Sequence, residues 1–191
     1  MRKLIVSVNI TLDGFMAGPD CELDWHFTRW TPEMAEVQSR QLSRADTILL
    51  GRITYNGMAN YWSKVRSDLS FPREDLAFAD LMNSRQKVVF SRTLNNLIWE
   101  NSVQISGNLG SEVYKLKKAK GDDIIIYGSS KLISGLMRLG IIDEYILWIH
   151  PVVLGAGKPL FGKANELTNM RLSQLQQFSS GVVLLQYQTM R

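Results

Sequence analysis

Short apolar runs alternate with amphipathic stretches along most of the chain, and the last part carries apolar runs alone. KLIVSVNI (3–10) reads as a strand. Thr31-Pro32-Glu33 supplies an N-cap, a proline at the first helical position and an acid in the first turn, which predicts a helix to about Arg44. TILL (47–50) is a short buried strand, with a helix starting near Arg52. LAFADLMNSR (76–85) has a helical pattern, while KVVFS (87–91) and SVQIS (102–106) are strands. GSEVYKLKKAKG (110–121) predicts a lysine-rich helix closed by Gly121 at its C-cap. DIIIYG (123–128) is a strand, and Ser130 to Leu139 a helix stopped by Gly140. EYILWIHPVVL (144–154), NMRLSQLQQF (169–178) and GVVLLQYQTM (181–190) are strands, the last two pairing across Ser179-Ser180-Gly181. This order predicts an α/β fold of three layers, with helices flanking a mainly parallel mixed sheet that ends in antiparallel strands. Ligands of such sheets gather at the carboxyl ends of the strands.

Composition narrows the classes. A chain of 191 residues suits a single domain spanning 1–191. Its hydrophobic fraction of 45% and charged fraction of 21% are those of a soluble globular protein. The net charge of +4 suits an anionic ligand but is too small and dispersed for a nucleic-acid partner. Cys21 is the only cysteine, so no disulfide framework or thiol metal cluster is expected. His26 and His150 stand far apart without metal-ligand spacing, and no metal site is expected. The start, MRKLIVSVNITLDG, has a basic tip, but Asn9, Thr11 and Asp13 break its apolar run, so it does not read as a signal peptide. No stretch is long enough to span a bilayer, and the expected location is the cytoplasm, without a membrane partner.

Chemistry collects at strand ends. In LLGRITY (49–55), Gly51 permits a tight turn, and Arg52 and Thr54 fall in the first turn of the next helix. A helix N-terminus offers unpaired N–H groups and partial positive charge to an anion. In VVFSRTL (88–94), Ser91 and Arg92 leave a strand together, with donors that suit phosphate oxygens. In YGSSKL (127–132), Gly128, Ser129 and Ser130 open another helix. Each of these also serves plain capping or a surface ion pair. GxxxxGK[ST] is absent, and GAGKPLFG (155–162) fits neither that pattern nor GxGxxG.

LLGRITY, VVFSRTL and IYGSSKLISGL, in that order, resemble the cofactor-binding segments of the dihydrofolate reductase fold. SVNITLDGFMAGPD and GIIDEYILWIHPVVLGAGKPLF resemble the branch that includes the reductase domain of the riboflavin pathway and its stand-alone homologues. The resemblance implies an NADPH-dependent reductase, an oxidoreductase acting on a small heterocycle. It places Gly51, Arg52 and Thr54 at the cofactor's phosphates, Ser91 and Arg92 at the adenosine 2′-phosphate, and Gly128, Ser129 and Ser130 around the pyrophosphate. Many members carry Gly-Gly, often with a cis peptide, where this chain has Gly128-Ser129. The substrate implied first is 5-amino-6-(5-phosphoribosylamino)uracil, and second a dihydropteridine or dihydrofolate. A non-catalytic NADPH-binding module is the alternative from another class.

On the substrate side, Asp13 follows the first strand directly and is the first candidate for proton delivery, although Asp-Gly is also a common turn pair. Folate reductases carry a carboxylate on the helix before the GRxT segment, which makes Glu36 the second candidate. Trp25, His26, Phe27 and Trp30 could line a pocket for a flat ring or pack in a core. Lys158 could meet an anionic substrate group such as a ribose phosphate, or be an ordinary surface lysine. A homodimer is expected, with part of the apolar EYILWIHPVVL at the contact between chains.

Overall fold

A computed structural model describes residues 1–65, 73–162 and 167–190. The chain runs β1 (Leu4–Thr11), β2 (Phe15–Ala17), α1 (Asp24–Phe27), α2 (Pro32–Ser43), β3 (Ala45–Gly51), α3 (Arg52–Val65), α4 (Arg73–Ser84), β4 (Gln86–Phe90) and β5 (Ser102–Ile105). It continues through α5 (Leu109–Lys118), β6 (Asp123–Tyr127), α6 (Ser130–Arg138), β7 (Glu144–His150), β8 (Lys158–Pro159), β9 (Met170–Gln177) and β10 (Val183–Thr189). Eight strands form one sheet in the order β5-β4-β3-β6-β1-β7-β10-β9, and β2 and β8 form a second, two-stranded one. β5 to β7 are mutually parallel along that order, while β10 runs antiparallel to both β7 and β9.

The alternation of strand side chains builds two cores. Ile5, Ile48, Leu50, Ile125, Ile146 and Trp148 face one side and meet Met34 and Leu42 of α2, Tyr55 of α3 and Met82 of α4. Leu4, Val6, Leu49, Ile124 and Ile126 face the other and meet Val113 of α5 and Ile133 and Leu136 of α6. Each fully buried aliphatic side chain stabilises by ~1.5–3 kcal/mol relative to its exposed state. Helices α2, α3 and α4 therefore cover one face and α5 and α6 the other, which gives the three layers expected from the pattern.

Local rules set most boundaries. The Thr31 hydroxyl accepts the Met34 N–H at 3.3 Å, starting α2 at Pro32. The Asn108 side chain accepts the Ser111 N–H at 3.1 Å, starting α5. Gly121 does not close α5: the helix ends at Lys118, and Ala119 at the C-cap is already extended. Gly121 serves the turn into β6, where a Cβ would lie 2.4 Å from the Asp46 carboxylate. β7 ends at His150, short of the expected Leu154, because Pro151 has no N–H to continue a ladder.

The expected chain–chain role of EYILWIHPVVL is corrected for its strand portion. β7 lies between β1 and β10, with all but one of its residues buried within a single chain.

Candidate functional site

β3 passes into α3 on one face of the sheet, and its neighbour β6 passes into α6 on the other. A crevice opens between adjacent strands whose connections depart to opposite sides, and there an open α/β sheet takes its ligand. Gly51 closes β3 at this point, and Gly128-Ser129 follows β6. Gly128 (φ 54°) and Ser129 (φ 65°) are successive left-handed residues, joined by a trans peptide. For serine this conformation costs roughly 1–2 kcal/mol. The cost is offset by the hydroxyl, which accepts the Gly51 N–H at 2.9 Å and donates to the Tyr127 carbonyl at 3.3 Å. Ser129 thus ties two strand ends together and makes no side-chain cap on α6.

The glycines here mark close approach. A Cβ on Gly128 would lie 3.1 Å from Thr54 Cγ2, and one on Gly51 would lie 3.5 Å from Ser129 Oγ. Gly51, Thr54, Gly128 and Ser129 are therefore one cluster, with Arg52 exposed at the start of α3 and Ser130 half-buried at the start of α6. Next along the edge, Ser91 follows β4 and donates its N–H to the Ile105 carbonyl at 3.1 Å. Its hydroxyl accepts the Thr93 N–H at 3.1 Å, shaping the turn that carries Arg92 outward. Arg92 is exposed and makes one long contact, Nε to the Ser106 carbonyl at 3.4 Å, so its terminal nitrogens remain available. Two helix starts, open glycine backbone, and arginines at neighbouring strand ends are a donor set that fits a dinucleotide's phosphates. Each helix dipole adds ~0.3–1 kcal/mol for an anion at its N-terminus.

Beyond β1 the edge changes character. The Asp13 carboxylate accepts the Thr11 hydroxyl at 2.5 Å, the Gly155 N–H at 2.7 Å and the Leu154 N–H at 3.1 Å. The Thr11 bond first, then those backbone donors, hold Asp13 below the ordinary carboxyl value. Asp13 thus ties the loop after β1 to the loop after β7. Around it, Leu12 N–H donates to the Val152 carbonyl (2.8 Å) and Leu160 N–H to the Gly14 carbonyl (3.0 Å). β2 pairs with β8, where a Cβ on Gly157 would lie 2.2 Å from the Ala17 carbonyl oxygen. Lys158 stands exposed on β8. Glu36 is not brought into these contacts: its carboxylate is exposed on α2 and paired with Arg40 at 2.5 Å.

Trp25 comes to the end of β7 and meets a residue that sequence reasoning did not assign to the site. His150 is fully buried, its ring 5.1 Å from Trp25 and 6.1 Å from His26. Its Nε2 lies 2.9 Å from Asn9 Oδ1, while among the described residues Nδ1 has no hydrogen-bond partner, and neither does the buried Trp25 Nε1. Burial pushes the His150 imidazole down to about 4, helped by His26 and Arg29, so the ring is neutral at pH 7. The signal available in the sequence was a polar residue near the carboxyl end of each of two mainly apolar strands, Asn9 and His150. Trp30 instead joins the core, 5.6 Å from Trp148.

At the opposite edge, a basic concavity of about 670 Å³ is lined by Arg2, Arg44, Lys118 and Lys120 with Asp122 and Asp123. Its arginines are already neutralised: Arg2 pairs with Asp46, and Arg44 reaches Asp123 at 3.6 Å and Glu144 at 4.0 Å. Among the described residues, no helix is long and apolar enough to cross a membrane.

Comparison with known proteins bears on the same edge. The profile of the RibD C-terminal domain matches residues 2–184. The uncharacterized protein YyaP of Bacillus subtilis is 39% identical over 186 residues, covering 97% of this chain and 94% of its own. A protein of Shewanella sp. PV-4 named for riboflavin biosynthesis superposes with a TM-score of 0.75 at 22% identity, covering 99% of both chains. A diaminohydroxyphosphoribosylaminopyrimidine deaminase/5-amino-6-(5-phosphoribosylamino)uracil reductase of Thermotoga maritima gives a TM-score of 0.67 at 14% identity, over 99% of this chain and 57% of its own. At those identities the two solved structures establish the fold, the dihydrofolate-reductase-like arrangement of RibD reductase domains.

Proposed function

The chain belongs to the RibD C-terminal domain family, and from that premise we propose that it is an NADPH-dependent reductase of a small nitrogen heterocycle. The first candidate substrate is 5-amino-6-(5-phosphoribosylamino)uracil, the compound named in the Thermotoga maritima relative. The observation that carries this reading is the meeting of the β3 and β6 ends at a point where their connections depart to opposite faces, with the Gly51 N–H donating to the Ser129 hydroxyl at 2.9 Å. Bound there, NADPH supplies a hydride from its nicotinamide. Gly51, Arg52 and Thr54 with Gly128, Ser129 and Ser130 receive the phosphates, and Ser91 and Arg92 receive the 2′-phosphate. The stitched loops after β1 and β7 cover the reacting end and exclude water. Lys158, exposed on β8, offers a cation to a phosphate on the substrate. The exposed free thiol of Cys21 suits a reducing cytoplasm.

Calorimetric titration with NADPH and NADH tests the cofactor. A charge-assisted bond from Arg92 contributes ~1.5–3 kcal/mol, so NADPH binds roughly ten- to a hundredfold more tightly, and Arg92→Ala removes that preference. Equal affinities in the parent overturn the assignment. Oxidation of NADPH on adding the aminouracil then separates a reductase from a non-catalytic NADPH-binding module, which binds the cofactor without turnover.

A further inference from the structure

We propose that Trp25 and His150 form a donor–acceptor pair that reads an amide edge, an N–H beside a C=O, on a flat heterocycle held at the carboxyl ends of β1 and β7. This rests on the reading above only in giving that heterocycle the role of hydride acceptor. His150 Nε2 faces Asn9 Oδ1 at 2.9 Å, so the ring proton sits on Nε2 and donates to that carbonyl oxygen. Nδ1 is then a bare acceptor, without a partner among the described residues. An indole nitrogen is only ever a donor, and Trp25 Nε1 is likewise buried and unpartnered. The two rings lie 5.1 Å apart at 82°, so one unpartnered acceptor and one unpartnered donor are carried on adjacent rings. A lactam is the complement of that pair: its N–H donates to Nδ1 and its carbonyl accepts from Nε1–H.

The cover over the pair is suited to lifting. Trp25 lies on α1, four residues long with none of them buried. Leu23 and Phe27 beside it are exposed, and His26 holds the turn through Nδ1 to the Leu23 carbonyl at 2.6 Å. A segment with so few buried contacts opens locally at low cost. Moved outward, it admits a flat ring between the indole and the imidazole.

The test uses two small probes, 2-pyridone, which carries one amide edge, and 1-methyl-2-pyridone, which keeps the carbonyl and lacks the N–H. Heteronuclear NMR follows the Trp25 indole N–H and the His150 ring nitrogens during titration of the intact chain. The expected result is at least tenfold tighter binding of 2-pyridone, with shifts at both Trp25 Nε1 and His150 Nδ1. His150→Gln keeps an ε-position partner for Asn9 and loses the δ-position acceptor, so it abolishes the preference between the probes. Trp25→Phe keeps a ring and loses the donor, so it weakens both probes. Equal affinity of the two probes in the parent, no shift at Trp25, or an unchanged preference in His150→Gln overturns the proposal. NADPH titration of the same samples reports the cofactor site separately, so failure of the amide reader and failure of the reductase reading are distinguished.

Discussion

A neutral histidine sealed inside a fold makes stability depend on acid, and His150 is such a residue. Its imidazole is held at about 4 against an ordinary 6.5, chiefly by burial. Above pH 6.5 neither folded nor unfolded chain protonates it, and it gives no slope. Between 6.5 and about 4 the unfolded chain takes up a proton that the folded chain refuses, so stability falls. Below about 4 both states are protonated and the loss levels off, at no more than ~3 kcal/mol in total. His26, also lowered by burial, acts in the same sense, with the Asp24 charge opposing the shift. Urea denaturation across this range should show a slope that shrinks in His150→Gln; an unchanged slope means the proton uptake lies elsewhere. Ser129 allows a second test of a single position. Ser129→Ala keeps the left-handed backbone and loses the hydroxyl, so it should cost ~1 kcal/mol or more. Ser129→Gly loses the same bonds but relieves the backbone, so its stability should stay within ~1 kcal/mol of the parent. Equal losses in both variants would show that the Gly51 N–H bond, and not the backbone, dominates.

Loops gain rigidity when they are tied to one another, and the elements after β1 and β7 are tied by Asp13. Its carboxyl is lowered from 3.8, so the tie is intact above that value and is lost as pH falls through the folded-state value beneath it. Asp13→Asn keeps one acceptor oxygen and removes the charge. The Leu154 and Gly155 amides should then exchange hydrogen faster, while NADPH affinity is unchanged. If both amides stay protected and the single-turnover rate instead falls at least tenfold, Asp13 serves proton delivery more than loop anchoring. Elements set by neighbours in sequence could be read directly: the Thr31-Pro32 start of α2, and Gly140 after α6, whose φ of 61° only a glycine takes without cost. The strand-end cluster was readable for the same reason, since Gly51, Ser91 and Gly128 are turn residues beside their own strands. Elements set by distant partners were not. β2 and β8 have only three and two residues, and they exist because Phe15 and Ala17 meet Pro159 and Lys158. The His150–Asn9 contact spans 141 positions, so no local pattern announces it.

The sheet is covered unevenly, and that shapes the whole molecule. Helices α5 and α6 lie over one face of the central strands, and of the outer pair Met170 of β9 and Tyr187 of β10 pack, partly buried, against the margin of that core. Pairing register aligns Leu147 with Leu185 and Leu175, and Tyr145 with Tyr187 and Leu172, across three neighbouring strands. Leu172 is 46% exposed, Leu175 61% and Phe161 44%, and Phe161 lies 5.9 Å from the Tyr145 ring. On the opposite face Leu184 joins the first core, while Gln176 bonds to Glu33 of α2 at 3.1 Å and Gln186 to Glu144 at 2.6 Å. With that face engaged inside the chain, the exposed leucines on the other face suit a second copy of the chain laid against them. We therefore propose a homodimer formed through β9 and β10 in place of β7. A stable contact of this kind buries ~800 Å² on each partner, with its centre depleted of charge. Light scattering behind a sizing column should give twice the chain mass at micromolar concentration. Leu175→Glu places a charge at the middle of the patch, on an edge strand where it does not disturb the core, and should give a folded monomer with unchanged circular dichroism. A monomeric parent sinks the proposal, and a dimer that survives Leu175→Glu moves the contact to another surface.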